Sequence, residues 1–115
     1  MITHTVESVA RELRDIARAN PTTINPVMNG FCRYRLVEDG KVHRCIVGAW
    51  LYSHGVETDI QDEGVSGDAV AVRHLGPLDP AVCDLLERAQ GHADSGPSPW
   101  GVVADYIDEI LADQD

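Results

Sequence analysis

The feature that most constrains the fold is an Asp-Gly pair that separates two extended segments. Residues 31–37 and 42–44 have the character of strands, and Glu-Asp-Gly-Lys lies between them. Asp39 and Gly40 can both adopt the positive φ that a two-residue hairpin turn requires. The turn fixes which residues face each other across the hairpin. The expected pairs are Val37 with Val42, Leu36 with His43, Arg35 with Arg44, and Tyr34 with Cys45.

The predicted hairpin has one largely apolar face and one basic face, because side chains alternate along each strand. An isolated hairpin is only marginally stable in water, so a helix must cover the apolar face. The basic face suits solvent or an acidic partner. The first face carries Cys32, Tyr34, Leu36, His43 and Cys45, and the second carries Arg33, Arg35 and Arg44.

Two helices are predicted on either side of the hairpin. Apolar residues recur every three or four positions over residues 5–18, where Thr5 can cap the helix and Pro21 excludes its continuation. A second helix follows the hairpin and stops at Gly55, with Val56 folding back onto it.

The remainder of the chain also favours helices. A capping residue precedes proline at Asp79-Pro80 and at Ser98-Pro99, which predicts two helix starts, and the short turn between these helices predicts antiparallel neighbours. Residues 69–75 fit either a helix or a strand, and a single turn is predicted near residues 59–63.

These elements predict an α+β fold: a single domain, residues 1–115, in which four to five helices pack with one two-stranded antiparallel hairpin. A chain of 115 residues can bury a core but is too short for two self-sufficient units. The predicted core contains Trp50, Leu51, Leu85, Leu86, Ile107 and Ile110.

Membrane insertion and secretion are not expected. The longest uninterrupted apolar run, residues 45–52, is less than half of the roughly 20 residues that cross a bilayer. The amino-terminal segment mixes charged residues into its apolar positions, unlike a secretory signal. Three cysteines without close spacing favour a reducing compartment and free thiols. We therefore expect a cytoplasmic protein.

Charge is distributed unevenly along the chain. Residues 1–50 carry seven basic and five acidic side chains, whereas residues 51–115 carry two basic and fourteen acidic ones, for a net charge of -10. Such a field repels phosphate backbones and anionic membranes, which disfavours nucleic acid and membrane surfaces as partners. Another protein is the expected partner.

The predicted binding residues lie on two oppositely charged surfaces. In the last helix, Asp105, Asp108 and Glu109 flank the apolar stripe, and no basic residue follows Arg88. This face is predicted to be either a solvated surface or a docking site for a basic partner. The basic hairpin face, with Arg33, Arg35 and Arg44, offers a complementary surface. Head-to-tail association into a homo-oligomer is therefore one form that the interaction could take.

The alternative hypothesis is a zinc-binding or redox-responsive module built from Cys32, His43 and Cys45 on one hairpin face. Thiolates and imidazole suit zinc, but a structural site needs a fourth ligand, which would have to come from elsewhere. Cys45 follows His43 and Arg44 and opens a helix, and these features favour a reactive thiol if it is exposed.

Catalytic patterns are missing from the sequence. No nucleophile elbow surrounds Ser53 and His54, and no Gly-rich phosphate loop or EF-hand spacing occurs. We therefore expect a non-enzymatic protein that needs no cofactor.

Two segments together resemble a group of small uncharacterised proteins from actinobacteria and their phages. The first runs from Cys32 through Glu-Asp-Gly into Cys45-Ile-Val-Gly, and the second runs from Gln90 through Asp94 and Gly96 to Trp100-Gly. The resemblance covers about half of the chain and implies no chemistry for any residue. The missing catalytic patterns and the uneven charge predict a non-enzymatic protein-interaction or regulatory protein, and the resemblance makes a phage-encoded protein that acts on a host protein one form of this hypothesis.

Overall fold

The structure is a computed structural model that describes residues 4–25, 27–28, 31–32, 34, 36–58, 67–94 and 98–113. These residues form five helices and four short strands, and the α+β fold class is as predicted. The helices are α1 (Val6–Ala19), α2 (Ile46–Ser53), α3 (Gly67–Leu75), α4 (Pro80–Asp94) and α5 (Trp100–Asp113). The strands are β1 (Val27–Met28), β2 (Phe31–Cys32), β3 (Leu36–Glu38) and β4 (Lys41–His43).

The hairpin of β3 and β4 has the predicted register. Leu36 pairs with His43 and Val37 pairs with Val42 in an antiparallel ladder. Asp39 and Gly40 have φ values of 53° and 76°. Positive φ at both central residues is the geometry whose twist matches that of the flanking strands, which explains why this dipeptide closes the hairpin.

The prediction is wrong for the part of the hairpin that lies farthest from the turn. The segment expected as one strand is divided, and β2 pairs backwards with β1. Tyr34 lies at a bend and Cys45 is the N-cap of α2, so these two residues do not continue the ladder. The ladder stops because the chain leaves β4 to begin a buried helix. The expected pairing of Arg35 with Arg44 involves a residue outside the described part of the chain.

Helix α1 begins and ends as the sequence predicts. Thr5 Oγ1 accepts a hydrogen bond from the Ser8 amide at 3.1 Å, and Ser8 Oγ accepts one from the Thr5 amide at 3.0 Å. This reciprocal capping satisfies two amides that the helix itself leaves without acceptors. Asn20 is the C-cap, next to the proline that prevents continuation.

The predicted end of α2 and start of α4 are confirmed, whereas α4 continues to Asp94, into the turn that was predicted between α4 and α5. Gly55 has a φ of 80°, and the Val56 amide donates to the Leu51 carbonyl at 3.0 Å, as in a left-handed helix stop. Asp79 Oδ1 accepts from the Ala81 amide at 2.8 Å, which caps α4. The segment 69–75 is helical, within α3. The predicted turn near residues 59–63 lies outside the described residues.

The core is formed mainly by helices. Helix α5 packs most extensively on α1, and α3 packs on α4, whereas α4 and α5 share a smaller contact. Of the predicted core residues, all are buried except Ile110, which is partly buried at the edge. None of the described helices is long and apolar enough to cross a membrane.

Candidate functional sites

The predicted basic hairpin face is described only at Arg44. Its guanidinium carbon lies 3.8 Å from the centre of the Tyr52 ring, and its Nη2 lies 2.9 and 3.1 Å from the two carboxylate oxygens of Glu57. The cation–π contact and the ion pair together hold this side chain in one orientation. Arg33 and Arg35 lie outside the described residues.

Arg44 borders a groove of about 280 Å³ between the hairpin, α2 and the segment that follows α1. We call it the hairpin groove. Its lining includes Ile24, Val42 and Tyr52, which are 46%, 41% and 54% exposed. The other described lining residues are Asn20, Thr23, His43, Arg44, Ala49 and Trp100, so no described side chain of the lining is acidic.

Exposed apolar side chains concentrate at this groove. Val37 pairs directly with Val42 and is 54% exposed, so its side chain extends the apolar surface on the same face of the hairpin. Among the described residues, four of the six large apolar side chains that are exposed belong to this surface, and the other two are Val72 and Val102. Contiguous exposed apolar surface is typical of a protein-binding site.

The acidic face of α5 is partly neutralised, which the sequence argument did not anticipate. Asp108 forms ion pairs with Arg14, at 3.4 Å, and with Arg18, both on α1. The packing of α1 against α5 therefore neutralises one of the three carboxylates predicted to dock a basic partner. Asp105 and Glu109 are exposed and make no ion pair with any described residue.

His43 and Cys45, whose side chains are described, do not come together as the predicted cysteine-centred site requires. His43 is exposed on β4, whereas Cys45 is wholly buried and its Sγ accepts a hydrogen bond from the Gly48 amide at 3.3 Å. The side chain of Cys32 is outside the described part. Cys45 thus acts as a helix cap, and burial removes the exposure that a reactive thiol needs.

The thiols of Cys83 and Cys45 are expected to react slowly in the folded chain. Burial raises the pKa of the Cys83 thiol, and the carboxylates of Asp68 and Asp79 raise it further. Because only the thiolate is nucleophilic, Cys83 should react with iodoacetamide more slowly than an unfolded cysteine at neutral pH, and its labelling should accelerate as the pH rises above 9. Cys45 should stay unlabelled until the chain unfolds. Mass spectrometry of labelled peptides, with and without urea, measures both. Rapid native labelling of Cys45 would contradict its burial.

A cluster that sequence reasoning missed joins the start of α1 to the end of α2. His4, Glu12 and His54 each offer one ligand atom, and these three atoms lie within 4.8 Å of one another. His54 Nε2 lies 3.1 Å from Glu12 Oε2. The His54 side chain is 14% exposed and that of Glu12 is 41% exposed, so the cluster is partly shielded from water.

Trp50 forms the wall of this cluster. Its Nε1–H donates a hydrogen bond to Glu12 Oε1 at 3.2 Å, and its ring is fully buried. The imidazoles of His4 and His54 meet the indole edge to face, with ring centres 5.7 and 5.0 Å away. The spacing of Trp50 and His54 on one helical face was visible in the sequence, but nothing there indicated which residue of α1 would face them.

Residues of the two segments singled out in the sequence, from Cys32 to Gly48 and from Gln90 to Gly101, meet at the amino terminus of α2. The first three amides of this helix donate to side chains: Ile46 to Asn25 Oδ1 at 3.0 Å, Val47 to Gln90 Oε1 at 3.3 Å, and Gly48 to Cys45 Sγ. Asn25 also accepts from Trp100 Nε1 at 2.9 Å and donates to Asp94 at 2.8 Å. These residues therefore have structural roles in capping a buried helix.

Comparisons with known proteins leave the chain without a relative that could indicate its function. It matches no protein-family model. No curated protein matches it, and no solved structure matches it either.

Proposed function

We propose that this chain is a non-enzymatic protein-interaction or regulatory protein that binds another protein through the hairpin groove. The proposal rests on the exposed apolar side chains that cluster around the groove, at Ile24, Val37, Val42 and Tyr52. Exposing these side chains in a free monomer opposes the hydrophobic effect, and a bound partner would remove their surface from water.

The groove also indicates the chemistry of the partner. None of its described lining residues is acidic in a chain whose net charge is -10, and a partner carboxylate would share Arg44 with the carboxylate of Glu57. Arg44 is already held by Tyr52 and Glu57, so binding would cost little additional side-chain entropy. Tyrosine and arginine are also the residue types that dominate binding energy at protein interfaces. We propose a partner segment with an apolar anchor next to an acidic group.

The resemblance to actinophage proteins makes a host protein the first partner class to test. A photo-crosslinking aromatic residue in place of Tyr52, which is half exposed, would capture the partner in cells without disturbing the core. The captured protein is then purified and its affinity measured by calorimetry.

The proposal predicts that Val42→Asp weakens this binding. The substitution places a charge in the apolar groove and repels a partner carboxylate, and loss of a central contact costs about 1–2 kcal/mol, or roughly 5–30-fold in affinity. Val72→Asp is the matched control, because Val72 is 36% exposed on α3 and does not line the groove. Circular dichroism checks that both variants fold. Equal affinities for wild type and Val42→Asp would refute the groove as the binding site.

A second copy of the chain is the alternative partner for the hairpin groove, and it can be distinguished from a different protein. In that case the purified protein alone should dimerise in sedimentation velocity, and Val42→Asp should abolish the dimer. The exposed carboxylates of Asp105 and Glu109 would supply the acidic group, so Asp105→Asn combined with Glu109→Gln should weaken the dimer more at low salt than at high salt. A wild-type chain that stays monomeric at all concentrations excludes this form.

A further inference from the structure

We infer that His4, Glu12 and His54 form a binding site for a divalent transition-metal ion, with zinc as the best fit. Two imidazole nitrogens and one carboxylate oxygen converge on one point between α1 and α2. This donor set is one that zinc uses with three protein ligands. Calcium and magnesium prefer oxygen ligands, so the two imidazoles argue against both.

The spacing of the ligand atoms suits one ion. Zinc ligands at about 2.0–2.2 Å from the metal lie about 3.3–3.6 Å apart in a tetrahedral arrangement. His54 Nε2 and Glu12 Oε2 are already 3.1 Å apart, and all three ligand atoms lie within 4.8 Å of one another. The movement that brings all three ligand atoms to coordination distance is expected mainly at His4, because His4 precedes the cap of α1 and is less constrained than residues within the helices.

The surroundings of the cluster favour metal binding over a simple ion pair between Glu12 and His54. Trp50 donates to Glu12 Oε1 at 3.2 Å, while His54 Nε2 lies 3.1 Å from Oε2 and 3.2 Å from Oε1. A hydrogen bond of this kind orients a ligating carboxylate and strengthens metal binding. An ion pair would be complete with Glu12 and His54, whereas the His4 nitrogen supplies a third ligand atom at the same point.

Three protein ligands leave one tetrahedral position open. Structural zinc sites are closed by four protein ligands, so a bound ion here would keep a water molecule or accept an external ligand. The partial exposure of Glu12 and His54 provides the access that such a ligand needs.

The metal site and the hairpin groove use different faces of α2. Ala49 and Tyr52 line the groove, whereas Trp50 and His54 face α1. Residues four apart share a helical face, and Ala49 lies about 100° around the helix from Trp50. Failure of one proposal therefore leaves the other intact.

The test is calorimetric titration of the full chain, without a polyhistidine tag, with zinc chloride. We expect one ion per chain, and cobalt(II) in its place should give the visible absorption of a tetrahedral site. Glu12→Gln preserves the shape of the side chain and an oxygen that can accept from Trp50. It should nevertheless weaken zinc binding by more than the roughly 10–100-fold that loss of an outer-shell partner costs. His4→Ala tests the third ligand at a position outside the helices.

His43→Ala is the matched control, because His43 is an exposed histidine on β4 away from the cluster. It should bind zinc as wild type does. Circular dichroism of each metal-free variant verifies folding. Absence of stoichiometric binding by the wild type would overturn the inference, and so would unchanged affinity in both Glu12→Gln and His4→Ala. Loss of binding in His43→Ala alone would instead place the ion at the cysteine-bearing hairpin face.

Discussion

We expect Gly48→Ala to lower the free energy of unfolding by about 3 kcal/mol, toward the upper end of the cost of overpacking a core. A Cβ at this position would overlap the carbonyl oxygen of Tyr34 and lie 3.2 Å from its carbonyl carbon. Both are backbone atoms, so no rotamer change can relieve the overlap. Either α2 or the backbone at Tyr34 must shift, and Gly48 and Tyr34 are both buried. Urea denaturation followed by tryptophan fluorescence measures the change.

Gly91→Ala is the control for helix propensity. Gly91 is also within a helix, α4, but a Cβ there meets no atom within 4 Å. Alanine is favoured over glycine in helices by about 1 kcal/mol, so this variant should be slightly more stable than wild type. If Gly48→Ala is stabilised to the same extent, α2 does not approach the Tyr34 backbone as closely as the structure indicates.

We expect Asn25→Ala to destabilise the protein by about 2–6 kcal/mol, because it leaves two buried donors without an acceptor at about 1–3 kcal/mol each. Asn25 is 3% exposed, and its Oδ1 accepts from the Ile46 amide and from Trp100 Nε1. Its Nδ2 donates to Asp94, so the residue links α2, α4 and α5. Because Trp100 loses its hydrogen bond, native-state fluorescence should also change.

Asn20→Ala is the matched control for the loss of an asparagine. Asn20 is exposed, and its Nδ2 donates to the Ile16 carbonyl at 3.0 Å. The donor and acceptor in that contact can both bind water instead, so this substitution should lower the free energy of unfolding by no more than about 1 kcal/mol. Equal effects of the two substitutions would mean that the buried position of Asn25 adds nothing to stability.

Local sequence was sufficient to predict most helix limits and the tight hairpin. Thr5, Asp79 and Gly55 each act on amides or carbonyls within a few residues, so their effects do not depend on the rest of the fold. The second strand pair was missed although the sequence contains a signal for it. Asn29-Gly30 separates β1 from β2 in the chain, and Asn-Gly favours a two-residue turn as Asp-Gly does.

The candidate sites were predicted less well, because each depends on contacts between distant parts of the chain. Arg44 was identified as a binding residue, but the groove beside it forms only when the hairpin, α2 and the segment after α1 meet. Asp108 was assigned to a free acidic surface, yet its ion-pair partner Arg18 is 90 residues away in the sequence.

Sequence alone thus determined most helix limits, the register of the β3–β4 hairpin and the uneven charge of the chain. Tertiary structure decided which helix faces packed together, and with them the pairing of Glu12 with His54, 42 residues apart. Caps and turns are local interactions, whereas helix packing minimises the exposed apolar area of the whole chain. The exposed apolar area of the whole chain leaves no local pattern in the sequence, so the residues that helix packing brings together cannot be identified from periodicity.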